Sequence, residues 1–147
     1  MRALVQRVSE ASVSVNGALV GSIGLGLVVL LGVGRNDGET EVARLADKLV
    51  RLRVFDDEQG RMNVSLADLG DRAAALCVSQ FTLYGDVRRG LRPSFTDAAE
   101  PDRAERLYEA FCGELRARGT RVESGRFGAR MSVRLTNEGP VTLMIEV

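Results

Sequence analysis

Histidine is missing from all 147 residues, and cysteine occurs only twice. Without histidine, neither a serine-histidine triad nor a cysteine-histidine pair can form within one chain. Cys77 and Cys112 both stand among apolar residues, so they read as reduced core thiols rather than zinc ligands. Most familiar hydrolase mechanisms are excluded on these grounds, and no metal or cofactor is expected. Net charge is also missing: 20 basic residues balance 20 acidic ones. The chain is therefore neither a basic nucleic-acid coat nor an acidic tail, and any RNA partner must be gripped locally. Lysine is reduced to Lys48 alone, a bias that by itself carries no functional argument. No apolar run approaches the roughly 20 residues that span a bilayer, and the start MRALVQRV lacks the apolar core of a signal peptide. The expected location is the cytoplasm, with no membrane partner. No linker interrupts the chain, and its 45% hydrophobic content suits one domain over residues 1–147 with a substantial core.

What is present is organised around residues 73–84, AAALCVSQFTLY. From Ala73 to Val78 the apolar residues are consecutive, as in a strand covered on both faces. From Ser79 the pattern alternates, which places Ser79, Phe81 and Leu83 on one face and Gln80, Thr82 and Tyr84 on the other. A buried hydroxyl or amide without a partner costs roughly 1 to 3 kcal/mol, so Ser79, Gln80 and Thr82 must bond within the fold or meet a polar ligand. A strand end that simply reaches solvent would show the same pattern.

In chain order, residues 3–8 and 12–15 alternate before Asn16-Gly17, and residues 18–23 follow. Asn-Gly between alternating runs predicts a hairpin, because both residues tolerate the positive φ of a type I′ turn. Residues 25–33, LGLVVLLGV, read as a central strand. Over residues 39–51 Val42, Leu45, Ala46 and Leu49 recur at helical spacing, with acids early and bases late as the helix dipole favours. A short hairpin is expected around Val54-Phe55 and Arg61-Met62-Asn63. Residues 85–96 form a loop in which Arg88, Arg89 and Arg92 are candidate phosphate contacts; such loops are otherwise simply solvated. Pro101 opens a second helix that ends before Gly119, with Ala104, Leu107, Tyr108, Phe111, Cys112 and Leu115 on one face. Residues 120–124, 129–136 and 141–147 alternate as three strands. The fold class is α+β: a largely antiparallel, barrel-like sheet with two main amphipathic helices.

The turn between the last two strands is Asn137-Glu138-Gly139-Pro140. About 5 to 6% of X-Pro bonds in folded proteins are cis, so a trans proline is the expectation from these residues alone. Taken together, however, SQFTL at residues 79–83 and NEGPVT at residues 137–142 resemble the D-aminoacyl-tRNA deacylases. The resemblance covers nearly the whole chain and includes Val5-Gln6-Arg7-Val8, Arg92-Pro93-Ser94-Phe95 and Gly125-Arg126-Phe127. It implies a homodimer that hydrolyses the ester joining a D-amino acid to the 3′-terminal adenosine of tRNA, and that also clears glycine from mischarged tRNA. Ser79, Gln80, Phe81 and Thr82 thereby acquire substrate-binding roles, and Phe127 borders the adenine. The resemblance makes the Gly139-Pro140 bond cis and inserts it from the partner subunit as the chiral selector. Phe81 argues against an animal-type branch that carries methionine there.

A proofreader must accept any side chain, so its selectivity has to act near Cα. Carbonyl oxygens placed to accept the ammonium of glycine or a D-residue would collide with an L side chain, and a thousandfold preference needs only about 4 kcal/mol. The catalytic step has two readings. Thr82 attacks the ester after activation by an unidentified base, or, as the resemblance implies, the adenosine 2′-hydroxyl helps activate water while backbone N–H groups near Phe81 and Thr82 hold the oxyanion. A noncatalytic module for the 3′ end of RNA and a dimeric small-ligand binder also fit these residues. Hydrolysis of a D-aminoacyl-tRNA separates both from an enzyme.

Overall fold

The computed structural model describes residues 1–147, and its organising element is the long strand β1, Arg2–Val15. The first half of β1 pairs with β3, Gly26–Gly32, and the second half with β2, Ala18–Ile23; both pairings are antiparallel. Between β1 and β2, Asn16 at φ 51° and Gly17 at φ 79° form the expected Asn-Gly hairpin turn. Two further strands continue from β3 in parallel, β6 at Ala74–Ser79 and β7 at Arg121–Ser124. The sheet order is β2-β1-β3-β6-β7. It curls nearly into a barrel: a Cβ built on Gly21 of β2 would lie 3.1 Å from the Ser124 carbonyl oxygen of β7.

Alternate residues of the central strands divide between two cores. Val8, Val13, Val28, Ala74, Leu76 and Val78 cluster inside the curl. Leu27, Val29, Leu31, Ala75 and Cys77 face the opposite way, against two helices, α1 at Glu39–Val50 and α3 at Pro101–Ala117. The uninterrupted apolar run of β6 therefore reflects burial on both faces. Helix α1 begins where the Gly38 N–H donates to the Glu41 carboxylate at 2.9 Å, and α3 ends before Gly119 at φ 82°. Within α3, Phe111, Leu107 and Leu115 are fully enclosed. Cys77 and Cys112 are both free and buried; the neighbouring Cys112 and complete enclosure push the Cys77 thiol up. Residues 54–64 fold as a separate small hairpin, β4 at Phe55–Asp56 and β5 at Met62–Val64, followed by a one-turn helix, α2, at Leu66–Leu69. No helix is long and apolar enough to cross a membrane.

Two expectations are corrected. The alternation from Ser79 does not continue as strand: Phe81–Tyr84 is a 3₁₀ turn, so Ser79, Phe81 and Leu83 do not share a strand face. The reason is loss of partners. The last β3 pair is Leu31 with Ser79, the last β7 pair is Ser124 with Cys77, and beyond them the Leu83 and Gly85 N–H groups turn back to Gln80 and Thr82. Residues 129–136 and 141–147 are not two strands joined by a turn. They belong to one strand, β8, Met131–Glu146, which runs antiparallel along most of β1. Pairing passes from Val8–Asn137 to Gln6–Thr142, so Glu138 to Val141 loop out of a continuous ladder.

The tightest backbone approach in the sheet lies at Gly26, where a built Cβ would sit 1.9 Å from the Ala74 carbonyl oxygen. No side-chain rotation relieves a clash with backbone. Gly26→Ala should therefore destabilise the protein by about 3 kcal/mol or more. Urea unfolding will show this as a markedly lower midpoint; an unchanged midpoint would contradict the described contact between β3 and β6.

Candidate active site

Strands β3, β6 and β7 point the same way, so their carboxyl ends release three loops on one side of the sheet. Crevices at the carboxyl ends of parallel strands are where open α/β sheets take ligands. The Gln80 N–H donates to the Leu31 carbonyl at 2.7 Å and extends the ladder by one residue before the 3₁₀ turn begins. Such a turn leaves its first N–H groups, those of Phe81 and Thr82, without intrahelical acceptors. The Gln80 side-chain amide donates to the Thr82 hydroxyl. An amide donor cannot remove a proton from threonine, so this contact positions the hydroxyl without activating it.

Ser79 and Gln80 are half-buried, whereas Phe81 is 57% exposed and stands edge-on to Phe95 with ring centroids 5.0 Å apart. From the β7 side the loop carrying Phe127 is tied in by the Gly125 N–H, which donates to the Cys77 carbonyl at 2.9 Å. Tyr108 donates to the same carbonyl at 2.8 Å, and its ring lies 6.0 Å from that of Phe127. Ser79, Gln80, Phe81, Thr82 and Phe127 thus gather around one strand end.

The turn is seated by glycines on β3 and just after it. A Cβ on Gly32 would lie 3.1 Å from the Gln80 carbonyl oxygen, and one on Gly34 would lie 2.7 Å from the Tyr84 hydroxyl. That hydroxyl donates to Asp37 at 3.3 Å. Asp37 also accepts from the Met1 ammonium at 2.7 Å and from the Gly34 N–H at 2.6 Å. Arg2 lies over the Tyr84 ring at 4.5 Å and donates to the Leu83 carbonyl at 2.9 Å. Asp37, Tyr84 and Arg2 are supporting residues that sequence reasoning did not assign. An acid in the loop just after an apolar strand was their available signal.

The arginine loop is closed by reciprocal backbone bonds between Asp86 and Ser94. Arg88 turns back onto Asp86, its guanidinium donating at 2.9 and 2.7 Å, and holds that carboxyl down to about 2. Arg89 and Arg92 remain exposed on the same loop.

Gly139 and Pro140 are exposed, and the bond between them is cis. Their loop is closed at its base, where the Asn137 side-chain amide donates to the Thr142 hydroxyl at 2.8 Å. Arg7, nearly buried, supports it from below: its Nε donates to the Glu138 carbonyl at 3.1 Å, and its Nη1 donates to the Val54 carbonyl at 2.8 Å and to Asp56 at 3.0 Å. Sequence reasoning gave Arg7 no role. The signal was an arginine that continues the inward series Ala3 and Val5.

The structure does not bring this loop to the strand end. It leaves β1 beside Arg7, level with Leu27 of β3, whereas Ser79 is level with Leu31. Four residues along the strands is about 13 Å, and the three strand spacings from β8 to β6 add about 14 Å sideways, so the two motifs are roughly 20 Å apart in one chain.

A profile of the family described as D-Tyr-tRNA(Tyr) deacylase matches residues 4–146. The chain belongs to this family. A D-aminoacyl-tRNA deacylase of Thermus aquaticus is 58% identical over 146 residues, covering 99% of this chain and 95% of the relative. One from Anaeromyxobacter dehalogenans is 56% identical, with 99% and 97% covered. Among solved structures, a c-Myc DNA unwinding element binding protein superposes with a TM-score of 0.93 at 41% identity, covering 100% of this chain and 99% of that one. A probable eukaryotic D-amino acid tRNA deacylase shares the fold, with a TM-score of 0.82 at 21% identity and 99% and 98% covered.

Burial and the adjacent Asp37 carboxylate raise the Tyr84 phenol above its ordinary value of 10.0. A raised phenol adds stability that is fully present below pH 10 and is lost as pH rises further. Tyr84→Phe should lose about 1 kcal/mol at pH 7 from the missing hydrogen bond. Its urea midpoint should then fall less steeply than wild type above pH 10. Parallel pH curves for the two proteins would show that the phenol does not contribute in this way.

Proposed function

We propose that this protein hydrolyses the ester between a D-amino acid and the 3′-terminal adenosine of tRNA, and that it also removes glycine from mischarged tRNA. It acts in the cytoplasm as a proofreader of translation. The observation that carries this reading is family membership across the chain, joined to a polar turn at the ends of β3, β6 and β7. Relatives named D-aminoacyl-tRNA deacylase match at 56–58% identity.

Ser79, Gln80, Phe81, Thr82 and Phe127 bind the terminal adenosine and the aminoacyl group. The N–H groups of Phe81 and Thr82 receive the charge that develops on the ester carbonyl; one such donor is worth about 2.7 to 4 kcal/mol. The adenosine 2′-hydroxyl supplies the activation that the protein lacks, and Thr82 holds substrate without becoming acylated. The amide contact to its hydroxyl supports that role. Arg89 and Arg92, with Arg88 tied to Asp86, contact phosphates near the acceptor end.

Gly139 and Pro140 select chirality by obstruction. A loop roughly 20 Å from its own Thr82 cannot meet an ester bound there, so it serves the partner subunit of a homodimer. Leu143 and Met144, exposed by 39% and 50% on the outer strand β8, supply apolar surface for that association.

Single-turnover hydrolysis at saturating enzyme tests the activity and its chemistry together. D-aminoacyl- and glycyl-tRNA should be hydrolysed and matched L-aminoacyl-tRNA spared; an inert D substrate would falsify the activity. Thr82→Ala should be slowed by no more than about tenfold, equivalent to ~1.4 kcal/mol. A D substrate whose terminal adenosine lacks the 2′-hydroxyl should react far more slowly even when saturating. A dead Thr82→Ala together with a normally reacting deoxy substrate would instead assign the nucleophile to threonine.

A further inference from the structure

A groove of about 570 Å³ runs beside the later turns of α1, lined by Arg44, Lys48, Arg51 and Arg53 with Asp47 as its one acidic side chain. On a chain of zero net charge this is a local concentration of cations. Arg44, Lys48 and Arg51 recur at helical spacing on one face, over about 10 Å of axis. Of the four, Arg51 is paired with Asp47 at 3.5 Å, and both side chains are more than half exposed, so this pair holds little energy and leaves the face open to a polyanion. Arg53 donates to the neutral side chain of Asn63 at 3.3 Å and lies within electrostatic reach of the Asp68 carboxylate, which it helps to lower.

The position of the groove suggests its purpose. Arg53 precedes Val54, whose carbonyl accepts from Arg7, and Arg7 in turn holds the Glu138 carbonyl beside Gly139. One arginine side chain therefore separates the groove's end from the loop assigned above to the partner's pocket. We infer that Arg44, Lys48, Arg51 and Arg53 form a phosphate-binding track for the body of the tRNA whose 3′ end is bound in the partner subunit. The inference rests on the cross-subunit reading of Gly139 and Pro140. Each tRNA then has its terminal adenosine held by one chain and part of its phosphate backbone held by the other. The grip reads charge rather than sequence, which suits an enzyme that must act on many tRNAs.

The test is the full-length variant carrying Arg44→Gln, Lys48→Gln and Arg53→Gln, all exposed positions whose change leaves the core intact. Binding of uncharged tRNA is measured across a salt series, and single-turnover hydrolysis is followed on D-aminoacyl-tRNA and on D-aminoacyl-adenosine, which has no RNA body. Binding should weaken tenfold or more at about 0.15 M salt, and the slope of log affinity against log salt should flatten by roughly 0.7 to 0.9 per lost contact. D-aminoacyl-adenosine should turn over within twofold of wild type. An unchanged affinity and salt slope would overturn the track and identify a solvated basic face. An equal fall on both substrates would also overturn it, by locating the effect in the pocket. Because uncharged tRNA is the binding probe, the track is decided even if wild-type enzyme hydrolyses neither substrate, a result that would defeat the proposed activity instead.

Discussion

The ladder between β1 and β8 is the constraint on which the rest depends. β8 follows β1 from Val15 back to Arg2, so the loop around Gly139 and Pro140 can leave the sheet only where the register jumps, beside Arg7. The parallel pairing of β6 with β3 sets the polar turn beyond Leu31 at the far end of the same sheet. Two short motifs, each anchored by hydrogen bonds, are consequently held apart in one chain by the geometry of pleated strands. Arg7 converts this separation into a firm loop: its guanidinium joins the Glu138 carbonyl to Val54 and Asp56. In the proposed function this firmness matters, because a flexible loop could adapt to an L side chain that a supported one would exclude.

At the other end of the sheet, the turn presents backbone donors and no side-chain base for Thr82. The 3₁₀ turn at Phe81–Tyr84 exists because β6 runs out of partners, and it seats closely because Gly32 and Gly34 have no side chains. Gln80 restrains Thr82, and Asp37 restrains Tyr84 while pairing with the Met1 ammonium. None of these contacts supplies a base to Thr82. What the turn presents is a pair of N–H donors and a shaped edge; in the proposed function these stabilise the charge that develops on the ester rather than attack its carbonyl.

Much of this was legible in the residues. Asn16-Gly17 announced its hairpin, Val42 to Leu49 their helix, and the unbroken run at Ala73 to Val78 its double burial. Other features were hidden for physical reasons. A 3₁₀ turn and a strand end share short runs of mixed polarity, so Phe81 to Tyr84 read as alternation when the deciding factor was the length of β3 and β7. Asn137 to Pro140 reads as a turn between two strands, yet β8 continues through it, with the Asn137 and Thr142 side chains bonded across the bulge. The cis bond followed from the family resemblance and from no local signal. Arg7 and Asp37 owe their roles to partners 47 or more and 36 residues away, distances over which a linear pattern carries no information.

The claim that a complete site needs two chains is tested most directly by combining two defective proteins. In one, residues 138–141 are replaced by a two-residue link that closes the β8 ladder and removes the selecting loop; in the other, Gln80 and Thr82 are replaced by alanine and Phe81 by proline, which removes substrate contacts and a backbone N–H donor. Co-expressed under two tags and purified as the mixed dimer, the pair contains one site whose turn and loop are both intact. The account predicts two chains by sedimentation and discrimination between D- and L-aminoacyl-tRNA at about half the wild-type rate per dimer. A mixed dimer that hydrolyses D- and L-aminoacyl-tRNA alike, or a wild-type monomer that is fully active and selective, would contradict it.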